Sequence, residues 1–131
     1  MVQYDHLALS TVTALPGGGI TTCDIPFSPD LQTFNEAYLR LTREAQAAGL
    51  PHDLSGDHMV LGTSSLARHH IDGAVNIYAG VYNNPFLIWG GYRAGLLRKT
   101  LPVSFQFHHA QMDGEPAAQF LDDFQAAVLK L

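Results

Sequence analysis

Apolar and polar positions alternate from Val2 to Thr13, and alternate again from Ile20 to Ile25 after the turn Pro16-Gly17-Gly18-Gly19. A period of two marks a strand with one buried face, so the first 25 residues read as a β-hairpin. Ser28-Pro29-Asp30 then reads as a helix start: Ser28 as the capping hydroxyl, a proline at the first helical position, and an acid near the positive dipole end. Leu31, Phe34, Tyr38, Leu41 and Ala45 form the apolar stripe of a helix over residues 30–48, which Gly49-Leu50-Pro51 stops. Met59 to Leu66, Asn76 to Tyr82 and Phe86 to Tyr92 read as three more strands. In Leu101 to Phe107, Val103, Phe105 and Phe107 alternate with Ser104, Gln106 and His108. Asp113-Gly114 marks a turn, and Phe120, Leu121, Phe124 and Val128 recur at helical spacing over residues 116–129. These elements predict an α/β chain in the sandwich sense: a mixed sheet with both helices on one face.

Composition narrows the field. The 131 residues are enough for one domain with a buried core, and 47% hydrophobic against 15% charged residues suits a globular subunit. A net charge of −5 disfavours nucleic acid as a partner, since that needs a basic surface. No apolar run approaches the roughly 18 residues of a membrane span, and no basic-then-apolar leader opens the chain. The single cysteine, Cys23, cannot form an intramolecular disulfide, and the expected compartment is the cytoplasm. Cys23 has no basic group beside it and reads as a small buried thiol rather than a nucleophile. The three glycines lack the Lys-Ser/Thr of a phosphate loop. His69-His70, with His52 or His58, could suggest a metal, but no zinc-like ligand spacing surrounds them.

The chemistry gathers at Phe105 to Gly114. Adjacent strand residues face opposite ways, so alternation puts His108 with Ser104 and Gln106, and His109 with Phe105 and Phe107. An imidazole on the apolar face is either a hydrogen-bonded core residue or a base poised by partial burial. The string His-His-x-x-x-Asp-Gly over residues 108–114 is shared by condensation domains and dihydrolipoyl acyltransferase catalytic domains. With its flanks, Leu101 to Phe107, Phe120 to Phe124 and Asn83 to Tyr92, the sequence most resembles the chloramphenicol acetyltransferase family, over the C-terminal part of its fold.

That resemblance implies an acyltransferase using acetyl-coenzyme A as cosubstrate, with no permanently bound cofactor. It implies His109 as general base and Ser64, with Ser65 as fallback, as donor to the oxyanion. Asp113 would be structural, holding the histidine loop through a salt bridge to an arginine in the N-terminal region, or a simple turn residue. Arg93, Arg98 and Lys99 could meet coenzyme A phosphates, or form a solvated basic loop. The family's Pro-Trp pair after the serine is Ala67-Arg68 here, its threonine is Ile88, and its lysine before Tyr92 is Gly91. Family members are longer homotrimers with active sites between subunits. The shorter chain therefore implies either a second chain that completes the fold, or an inactive remnant serving as an oligomerising or ligand-binding module.

Overall fold

β1 (His6–Ala14) and β2 (Ile20–Pro26) form the expected antiparallel hairpin, in a computed structural model that describes residues 3–75, 84–96 and 98–130. Its turn places Gly18 and Gly19 at φ 90° and 87°, values that only glycine adopts easily. On its other side β1 pairs in parallel with β3 (His58–Leu66), and β3 pairs in parallel with β4 (Phe86–Gly90). A short hairpin of β5 (Arg93–Ala94) and β6 (Lys99–Thr100) follows. The chain then returns as β7 (Val103–Gln106), antiparallel to β4, giving the sheet order β2-β1-β3-β4-β7.

Register sorts the side chains into two faces. Cys23, Thr11, Thr63, Leu87 and Phe105 are partners strand by strand, and so form one row across one face. On that face Leu41 and Ala45 of α1 (Leu31–Ala48) pack against Cys23 and Ile25, joined by Phe34 and Ala37. At the row's far end Phe120 of α2 (Gly114–Val128) stacks on Phe105 with centroids 4.4 Å apart, and Phe124 continues the stack. Both helices therefore lie on one face, as expected. The opposite face carries the row of Asp24, Ser10, Gly62 and Phe86.

Several local expectations need correcting. Asp30, not Ser28, caps α1: it is extended at φ −85°, ψ 115°, and its carboxylate accepts the Thr33 amide at 2.7 Å. Ser28 instead accepts the Asp30 amide, one step upstream, and Pro29 stays outside the helix. Leu31, part of the predicted stripe, is 67% exposed, and the helix meets the core only from Phe34 onward. Gly49 ends the helix at φ 68°, as predicted. The strand over residues 86–92 stops at Gly90, whose amide bonds Pro102. Residues 76–82, expected as a strand, lie outside the described residues.

Replacing Ile25, 1% exposed, by Ala should cost about 2–4 kcal/mol in chemical denaturation. Leu31→Ala should cost within about 0.5 kcal/mol, which tests the corrected helix face. Hydrogen bonds from Thr33, its hydroxyl first and its amide second, hold the Asp30 carboxyl below the usual carboxylate range. A depressed folded pKa stabilises above the unfolded pKa and is lost as pH falls through the folded one. The stability gap between Asp30→Ala and the parent should therefore be full above about pH 5 and should shrink below about pH 4, read by denaturation across pH.

Candidate active site

β7 stops pairing at Gln106, opposite Phe86, and the chain leaves the sheet before the histidines. The amides of Gln111 and Met112 bond back to the His108 carbonyl at 2.8 and 3.3 Å, and His108 Nδ1 accepts the Ala110 amide at 3.1 Å. His109 thus stands in a turn with its side chain 84% exposed. It does not share the apolar face with Phe105 and Phe107, because alternation holds only as far as the ladder does. Its Nδ1 lies 3.2 Å from Oδ1 of Asp113, four residues on and equally exposed. Asp113 is also the residue from which α2 starts; its carbonyl accepts the Ala117 amide, while its side chain makes no cap bond. No arginine pairs with Asp113 among the described residues. A contact this exposed contributes little to stability, so its effect is on the orientation of the ring.

Ser64 sits in β3 opposite Ile88, and Ile88 sits opposite Ser104, so the two serines share the face away from the helices. Ser104 Oγ accepts the Ala74 amide at 2.8 Å. The Ser64 hydroxyl makes no hydrogen bond among the described residues and is free to donate. Ser65, next in the strand, faces the other way. From Ser64 to Gln106 the sheet crosses two strands and shifts two residues, roughly 12 Å between backbones. The histidine turn lies beyond Gln106. The fold therefore presents Ser64 and His109 separately, and no hydrogen bond or ion pair joins them.

The three cations sit around the β5–β6 hairpin. Arg93 is engaged: its guanidinium bonds the Ile71 carbonyl at 3.1 Å and Asp72 at 2.7 Å. Lys99 Nζ lies 6.0 Å from the Tyr92 ring centroid, and Arg98 is exposed. Gly91, where the resemblance has a lysine, bonds the His69 carbonyl at 2.7 Å. A Cβ there would stand 2.8 Å from the Ala67 carbonyl oxygen, so the Ala67-Arg68 segment fills the space a side chain would need. Burial, then the nearby charges of Asp24 and Glu44, push the Cys23 thiol up, which keeps it protonated and unreactive. Among the described residues no group of three or more His, Cys, Asp or Glu is placed to hold a metal, and no helix is long and apolar enough to cross a membrane.

The face away from the helices holds a groove of about 640 Å³ that the sequence did not mark. Ser10, Val12, Thr22, Asp24 and Gly62 form its floor, with Asp53 and Ser55 of the segment after α1 at its side. Thr22 and Asp24 appear in the sequence only as the polar half of an alternating strand. A carboxylate inside a strand was the available signal.

With this geometry in hand, the fold identifies itself as that of the chloramphenicol acetyltransferase-like acyltransferases. A solved chloramphenicol acetyltransferase matches with TM-score 0.67 and 19% identity over 89% of this chain and 59% of its own. Dihydrolipoamide acetyltransferase of Azotobacter vinelandii matches with TM-score 0.65 and 18% identity, over 94% and 54%. The cubic core of the pyruvate dehydrogenase multienzyme complex matches with TM-score 0.66 and 18% identity, over 92% and 53%. This chain spans slightly more than half the length of those structures, and at such identity the likeness is one of fold. No family model matches the sequence, and no curated protein matches it.

Gly91→Lys should lower stability by about 1–3 kcal/mol in chemical denaturation, because the Ala67 carbonyl is backbone and must shift to admit Cβ.

Proposed function

We propose that the protein is an acyltransferase that moves an acetyl or other acyl group from a coenzyme A thioester to a hydroxyl or amine. The observation that carries this reading is the His109–Asp113 pair: it stands open to solvent in the turn that joins β7 to α2, on a fold shared with acyltransferases. A carboxylate beside Nδ1 favours the hydrogen there, which leaves the Nε2 lone pair to take the acceptor's proton. The acceptor oxygen or nitrogen then attacks the thioester carbon, the carbonyl oxygen becomes negative, and the C–S bond breaks to release coenzyme A. A fixed hydroxyl at Ser64 would stabilise that oxyanion. Since one chain holds Ser64 and His109 apart, the complete site takes them from two copies, in a homotrimer whose active sites lie between protomers. The catalytic mechanism of the Azotobacter vinelandii enzyme has been investigated at a serine, a histidine and an asparagine four positions beyond the histidine. His109 and Asp113 have that same spacing. Exposed Arg98 and Lys99, the latter beside Tyr92, would meet the cosubstrate's phosphates.

The exposure of His109 also suits a second reading, a non-catalytic module that keeps the turn for folding. The two readings separate in one assay of thioester consumption on purified protein. His109→Ala should reduce the rate by about 100-fold or more, and Ser64→Ala by a comparable factor. Refolding the two variants together should restore about a quarter of the parent rate, the fraction of random interfaces that pair an intact histidine with an intact serine. Unchanged consumption in His109→Ala would remove it from the chemistry, and a mixture with no recovery would place both groups in one protomer.

A further inference from the structure

We infer that the groove on the face away from the helices is the acceptor subsite, and that it takes a polyhydroxylated molecule carrying an ammonium group. This rests on the acyl-transfer reading above. The groove ends one step short of the oxyanion candidate: Gly62 lines its floor, and Ser64 is the next residue of β3 on the same face, about 7 Å further along. Its volume, about 640 Å³, is that of a small-molecule site.

Asp24 sets the charge of the ligand. Its side chain is nearly buried, with the residue 5% exposed, yet the carboxylate borders the groove. The only hydrogen bond it accepts is from the Leu54 amide, at 3.0 Å, and no cation pairs with it among the described residues. The nearest imidazole, His52, spends Nδ1 on the Asp24 carbonyl rather than the carboxylate. Among the described residues no lysine, arginine or histidine lines the groove, while Asp53 adds a second carboxylate. A buried carboxylate with one donor is incompletely compensated, and a bound ammonium would supply the missing counter-charge. The hydroxyls of Ser10, Thr22 and Ser55 also face this space and make no hydrogen bond among the described residues. They suit a partner rich in hydroxyls rather than an apolar one.

Register places Asp24 two strands and two residues from Ser64, roughly 12 Å between backbones. One molecule of about disaccharide length could then be held at its ammonium by Asp24 while a hydroxyl at its other end meets the thioester near Ser64. The held ammonium is spectator charge. The hydroxyl is the nucleophile: its oxygen forms the new C–O bond, its proton passes to Nε2 of His109, and the thiolate leaves.

Calorimetric binding, without thioester, of the β-1,4-linked glucosamine disaccharide and of cellobiose tests this, since the two differ chiefly in amine against hydroxyl. The parent should bind the diamine at least about tenfold more tightly than cellobiose, and Asp24→Asn should bring that ratio to about one. The asparagine keeps an acceptor for the Leu54 amide. Asp53→Asn, at an exposed position, should reduce the preference in the same direction and serves where Asp24→Asn does not fold. Equal affinity for both sugars, no binding of either, or a preference that survives both variants would overturn the assignment. Acyl transfer is then followed separately. A diamine that binds as described but accepts no acyl group from acetyl-coenzyme A would overturn its acceptor role while leaving the cation site standing. Absence of thioester turnover with any acceptor would sink the acyltransferase reading itself.

Discussion

β1 is bonded on both sides, antiparallel to β2 and parallel to β3, and its pairing with β3 from His6–His58 to Thr11–Thr63 decides which side chains share a face. A slip of one residue in that parallel ladder would exchange Gly62 and Ser64 with Leu61 and Thr63. The groove would lose its floor and the helices would meet a serine. The register is pinned from the side as well as along the backbone, because Thr63 Oγ1 donates to the Ser10 carbonyl at 2.7 Å. Everything assigned to one face or the other follows from this join.

The division of labour between the faces follows from where the apolar volume lies. Cys23, Ile25, Leu87 and Phe105 line one face and draw α1 and α2 onto it, so the described helices leave free the other face, which carries Ser10, Thr22, Asp24 and Ser64 beside Ala8 and Val60. A sheet covered on one side keeps its polar side for ligands or other chains. In this protein the oxyanion candidate and the groove lie on that second side, and the histidine turn leaves from its rim.

Much of this was readable in the residues. Alternation located β1, β2 and β7, the run Met59 to Leu66 marked β3, and Gly49 stopped α1 where a left-handed residue was required. The failures have physical causes. Ser28 and Asp30 are both good caps, and only the Thr33 hydrogen bonds decide between them. The alternation through Phe105 and Phe107 was carried on to His109, although pairing ceases at Gln106 and the chain curls. Gly91 reads as a lost lysine, whereas the structure shows a backbone contact with residues 67–69 that a linear pattern cannot reveal. The groove needed register across three strands, so no local window of sequence could assemble it.

The histidine and its carboxylate come from five consecutive residues, 109–113, and their geometry is set by one turn and the first step of a helix. The helix that follows them rests on the sheet through the Phe105–Phe120 stack. Tilting α2 about that aromatic contact would therefore carry the imidazole and its acid along as one rigid unit. A displacement of α2 would re-aim the imidazole without altering the pair itself.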